Sequence, residues 1–197
     1  MAAVAGSIVP GFADPVLQAQ QVFRRVLEAM SRPGRPVRLD PLPPQPPGLS
    51  AEATAVCLAL ADFETPVWLD AAAAAAREHL AFHCGCPHAD TPARAVFAVI
   101  ADPRRMPPFD AFARGSDERP EHGATLILAV EALSTDTGPV LRGPGIADRT
   151  RLAVHGVGDD FWDQVRANHA LFPRGVDLLL TSPGQVAALP RSVRLED

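Results

Sequence analysis

The chain has 197 residues, a net charge of −5 and 21% charged residues, the size and balance of one domain that folds without metal or disulfide. All 18 basic residues are arginine and tyrosine is absent, which excludes a Schiff-base lysine, a P-loop lysine and any tyrosine acid or nucleophile. The acidic balance also removes the positive field of a general nucleic-acid binder.

Residues 1–13 are expected to be a loose N-terminal segment. They carry no basic residue ahead of a weakly apolar stretch, so they do not read as a secretory signal. Asp14-Pro15 then predicts a helix, with an N-cap before a first-turn proline. Val16, Ala19, Phe23, Val26, Leu27 and Met30 recur at helical spacing as its apolar stripe, and Ser31-Arg32-Pro33-Gly34 stops it. A short strand is expected at Val37 to Leu39, then a proline-dense irregular connection from Pro41 to Gly48.

Ser50 opens a second helix through Ala61, apolar nearly all round and therefore buried. Pro66 to Leu69 reads as a strand, after which Asp70 caps an alanine helix ending near His83. Ala95 to Ala101 and Thr125 to Val130 are continuous apolar runs, the pattern of strands covered on both faces. Pro139 to Leu141 is expected to return as a hairpin partner of the second run across Ser134 to Gly138. Asp159 or Asp160 caps a helix to about Ala170. Val176 to Leu180 is another buried strand, joined through Ser182-Pro183-Gly184-Gln185 to a last strand near Val186 to Leu189. Buried strands interleaved with helices predict an α/β sandwich with a helix layer on each face, and the two hairpins make its sheet mixed. No repeat or domain boundary interrupts residues 1–197.

Two groups of residues invite a chemical reading. His79, His83, Cys84, Cys86 and His88 concentrate zinc-type ligands within ten positions. The paired Cys-x2-Cys spacing of zinc ribbons is missing, so the pattern favours a helix end with solvated imidazoles and no metal. Three cysteines are a poor disulfide framework, which points to a reduced, cytoplasmic protein. Cys57, among Val56, Leu58 and Leu60, reads as a core residue. The second group is an anion site: Arg142, Arg174 and Arg191 as bidentate donors, with Gly143-Pro144-Gly145 as an amide-lined turn. A structural turn and ion-paired arginines are the competing account, and spacing favours it. No catalytic constellation stands out.

The segments together resemble a known family. Phe23 through Gly34, Leu60-Ala61-Asp62, Thr65 through Leu69 and Phe82-His83 are followed, in order, by Gly123 through Leu128 and Gly143-Pro144-Gly145-Ile146. Phe172 through Leu178 and Leu189-Pro190-Arg191 complete the series. This ordered set resembles PhnH, a subunit family of the bacterial carbon–phosphorus lyase system. The resemblance implies a three-layer α/β/α fold similar to the large domain of pyridoxal-phosphate-dependent transferases, without the cofactor. The missing lysine separately forbids the internal aldimine. It further implies a homodimer in isolation and contacts with the core subunits PhnG, PhnI and PhnJ, with no membrane or nucleic acid. With PhnG, PhnI and PhnL, the family moves ribose triphosphate from ATP onto an alkylphosphonate and releases adenine, a radical iron–sulfur subunit cleaving the carbon–phosphorus bond later. No catalytic residue carries over. The alternative expectation is a free-standing binding protein or enzyme for a small phosphorylated ligand, held by the arginines.

Overall fold

The computed structural model describes residues 8–196. Helix α1 (Pro15–Ser31) starts where its chemistry dictates, the Asp14 carboxylate accepting from the Leu17 N–H at 3.0 Å. Helix α2 (Ala51–Leu60) starts with the Ser50 hydroxyl accepting from the Ala53 N–H at 3.1 Å, and it buries Ala53 through Cys57. The expected stripe on α1 is not its core face. Of its six residues only Val26 is buried, the core side being Val22, Val26 and Ala29, and Val16, Phe23 and Leu27 are 84%, 43% and 51% exposed. Residues 8–12, expected to be loose, include Phe12 against the core and Val9 and Gly11 against the His83 ring. Residues 1–7 of that segment lie outside the described residues.

The main sheet is built from β1 (Val37–Arg38), β2 (Val67–Leu69), β3 (Phe97–Ile100), β4 (Thr125–Ala129), β9 (Asp177–Ser182) and β10 (Gln185–Leu189), in the order β1-β10-β9-β4-β3-β2. β2, β3, β4 and β9 run parallel, and β9, β10 and β1 pair antiparallel. The fold is mixed α/β around a mixed sheet. Ile127 lies level with Val99 and Leu179, and these point to one face, toward α1, α2 and α3 (Arg77–Cys84). Leu126, level with Ala98 and Leu178, points to the other. Strand alternation between two covered faces is why these stretches read as unbroken apolar runs.

The second face is covered by α4 (Phe161–His169), by irregular chain around Phe109 and Phe112, and by two small sheets. One pairs β5 (Ala132–Ser134) with β8 (Ala153–His155). The other places β6 (Val140–Arg142) between β7 (Thr150–Arg151) and β11 (Arg194–Leu195). The expected hairpin of residues 139–141 with β4 therefore does not form. Both edges of β4 are taken, by β3 and by β9, so a returning strand has no free ladder to join.

The alanine run also departs from the expected helix. Residues 74–76 form a 3-10 turn and α3 begins only at Arg77. The Asp70 carboxylate accepts from the Ala73 N–H at 2.8 Å and from the Asp102 N–H at 2.9 Å, tying the turn to the loop after β3. Ala73 and Ala76 are fully buried, and Gly48 rests against the carbonyls of Ala72 and Ala73. Alanine serves here through small size rather than helix propensity. At α4, Asp160 occupies the N-cap position but makes no capping bond. Its carboxylate accepts from the Gln164 side chain at 2.9 Å instead. No described helix is long and apolar enough to cross a membrane.

Candidate functional site

Arg191 is where three separate stretches of the chain converge. Its backbone N–H and Nε donate to Asp177 Oδ1 at 2.8 and 3.1 Å, its Nη2 donates to Oδ2 at 2.6 Å, and Nη1 donates to the Pro120 carbonyl. Gly123 lies beneath the guanidinium, with no side chain to hold it away. Beside it, the Asn168 amide on α4 brackets one residue: Nδ2 donates to the Val176 carbonyl and Oδ1 accepts from the Val176 N–H, each at 2.9 Å. Gly175 fits between Asn168 and the Arg191 Cβ. These contacts satisfy the polar groups at the end of the sheet where β4 and β9 begin and β10 finishes.

Arg142 extends the same C-terminal region outward. Its Nε and Nη2 donate to Glu196 Oε1 at 2.9 and 2.8 Å, and Nη1 donates to Asp148 Oδ1 at 3.1 Å. The hydrogen bond from Arg142 holds the Glu196 carboxyl below the usual carboxylate range. Gly143 lies against the Ser192 carbonyl. Gly145, at φ +83, approaches the end of α1 so closely that a Cβ would sit 2.3 Å from the Ser31 carbonyl oxygen. That closeness and the positive φ both require glycine. Arg174 is exposed, with Nε 3.2 Å from Asp117 Oδ1. Each candidate anion-binding arginine thus faces a carboxylate, and the glycine turn packs on α1.

The histidines and cysteines split into three neighbourhoods, and among the described residues no three acidic, histidine or cysteine side chains are disposed to hold a metal ion. His79 is 4% exposed and neither ring nitrogen has a hydrogen-bond partner. Burial first, and then His83, with ring centroids 4.5 Å apart, push its pKa below the ordinary imidazole value. His83 Nε2 donates to the Val9 carbonyl at 3.0 Å. His88 Nε2 accepts from Arg77 at 2.9 Å. The cysteines lie together: the Cys84 thiol reaches the Cys57 carbonyl at 3.7 Å, and Cys86 follows across Gly85. Burial drives the Cys57 thiol up to about 12. Hydrogen bonding with Cys84 lowers the Cys86 pKa, and donating raises that of Cys84.

Sequence reasoning missed an open cleft of about 310 Å³ between Phe109 and α4, lined also by Arg114, Gln164, Asn168 and Leu171. Its walls are some fifty residues apart in the chain, and Gln164 ties them by accepting from the Phe109 N–H at 2.7 Å. No local signal marks such a pairing.

Comparison with known proteins adds what the geometry alone does not carry. The model of the bacterial phosphonate metabolism protein (PhnH) family matches residues 10–196. The alpha-D-ribose 1-methylphosphonate 5-triphosphate synthase subunit PhnH of Rhizobium meliloti (strain 1021) is 42% identical over 187 residues, covering 94% of both chains. HtxG of Stutzerimonas stutzeri, named for a C-P lyase subunit, is 42% identical over 100 residues, 49% of each chain.

Proposed function

The chain belongs to the PhnH family of bacterial phosphonate metabolism proteins, and from that premise we propose that it is a subunit of a carbon–phosphorus lyase core complex. The observation that carries the proposal is the 42% identity to a synthase subunit over 94% of both chains. In this reading it acts in the cytoplasm with PhnG, PhnI and PhnL to transfer ribose triphosphate from ATP to an alkylphosphonate. Its own part is to present a rigid surface to the other core subunits, PhnJ among them. Support for a positioning role comes from Arg142 and Arg191. Both belong to or adjoin the family segments, and both are engaged by carboxylates of the chain itself. Within the same proposal, α1–α3 on one face of the sheet and α4 on the other correspond to the three-layer fold of pyridoxal-phosphate-dependent transferases, lacking the cofactor.

The test is growth. Deleting the gene from a phosphonate-using host is expected to abolish growth on methylphosphonate as sole phosphorus source, and restoring the gene recovers it. Unimpaired growth of the deletion strain, with no related gene present, overturns the proposal.

Away from its partners the chain is proposed to pair with a second copy. Val16, Phe23 and Leu27 lie along one face of α1 and are exposed, an apolar strip suited to the centre of a two-fold contact. Light scattering at micromolar concentration is expected to give twice the 20.9 kDa chain mass. A mass of one chain defeats the pairing.

A further inference from the structure

All three cysteines of the chain meet at the C-terminal end of α3. Cys84 is the last residue of that helix, and Gly85 follows in the left-handed conformation at φ +67. That turn folds the chain back, so that Cys84 and Cys86 stand on either side of a single left-handed glycine. A Cβ on Gly85 would touch only the exposed Phe63, which leaves this turn room to adjust as a bond closes. Cys57 is different: it is buried within α2 and joins the group through its backbone carbonyl.

Cys86 also has an approach. It lines a cleft of about 150 Å³ beside β2, whose other walls are Val67, Leu69, Leu80 and Pro87, with Arg77 and His88 also present. Arg77 lines the same cleft and brings a positive charge to it, which favours a thiolate, whereas burial and Asp62 oppose one. Cys84, at the negative end of the α3 dipole, is favoured as the protonated partner.

We propose that Cys84 and Cys86 are an oxidisable dithiol, with Cys86 reducing a small hydroperoxide and Cys84 closing a Cys84–Cys86 disulfide. The Cys86 thiolate attacks one peroxide oxygen; the O–O bond breaks, an S–O bond forms, and the departing oxygen leaves, protonated, as water or an alcohol. The Cys84 sulfur then attacks the sulfenic sulfur, forming the S–S bond, and the hydroxyl departs with the Cys84 proton as water. The two thiols lose two electrons together and the peroxide gains them. This inference is independent of the role in phosphonate metabolism.

Hydrogen peroxide is the probe, applied to the full reduced chain and followed by alkylation in denaturant and mass measurement. The expected product is lighter by two hydrogens, has one alkylated cysteine in place of three, and reverts with dithiothreitol. Cys57→Ser still forms the bond. Cys84→Ser stops at a Cys86 sulfenic acid that dimedone captures, and Arg77→Ala slows the reaction several-fold. Three results overturn the proposal: a bond that includes Cys57, bonds only between chains, or oxidation no faster in the native chain than in urea.

Discussion

Gly123→Ala is expected to destabilise the protein by roughly 3 kcal/mol or more, the upper end of what overpacking costs. The backbone at Gly123 is at φ −69 and ψ 138, a conformation any residue adopts. On conformational grounds alone, alanine there would help slightly by restricting the unfolded chain. Space reverses the sign. An added Cβ would lie 2.2 Å from the Gly175 carbonyl oxygen and 2.6 Å from Arg191 Nη1. Neither neighbour can retreat cheaply. The Gly175 N–H donates to the Arg114 carbonyl at 2.9 Å, and the Arg191 guanidinium is fixed by Asp177 and Pro120. Gly184→Ala is the control with the opposite balance: φ is +71, but nothing lies within 4 Å. It should cost only the left-handed strain of about 1 to 2 kcal/mol. Urea unfolding midpoints at unchanged slope measure both. A Gly123→Ala midpoint at or above that of Gly184→Ala refutes the steric account.

What the sequence conveyed was chemistry that acts within a few residues. Asp14 and Ser50 cap their helices as their side chains predict. The β9–β10 hairpin turns through Ser182-Pro183-Gly184-Gln185, where turn residues stand. What it withheld depends on partners far along the chain. Residues 139–141 are apolar enough for a strand, but whether β4 can accept them depends on β9, which follows much later. The alanines after Asp70 look helical because alanine is the best helix former, and nothing nearby reveals that Gly48 and Asp102 will claim the turn. The α1 stripe was legible as apolar, but the core side of the helix, Val22, Val26 and Ala29, was not, because the exposed Val16, Phe23 and Leu27 are as apolar as the residues that the sheet covers. Arg191 was legible as a family residue and a possible anion ligand. Its carboxylate partner Asp177 is fourteen residues away and gives no sign of the pairing until β9 and β10 fold against each other.

Replacing that arginine distinguishes packing from ligand binding. Arg191 and Asp177 side chains are only 11% and 19% exposed, so water screens them less than the other arginine–carboxylate pairs of the described surface. Arg191→Ala keeps the backbone donor to Asp177 but removes three side-chain donors, leaving a half-buried carboxylate and the Pro120 carbonyl short of partners. Breaking a buried pair on one side costs about 3 to 5 kcal/mol, and the remaining exposure here places the expected loss near the lower figure, about 3 kcal/mol. Arg191→Lys keeps the charge without the planar fork and should recover only part of it. Arg142→Ala is the contrast, since the Arg142 contacts with Glu196 and Asp148 face solvent, and stability should stay close to the unaltered chain. A double-mutant cycle with Asp177→Ala isolates the pair itself: the second substitution should cost much less once Arg191 is gone. If Arg191→Ala instead unfolds at the same urea concentration as the unaltered chain, the guanidinium is not what holds β9 and β10 at this end. It is then free to act as the anion ligand that its residue type also suggests.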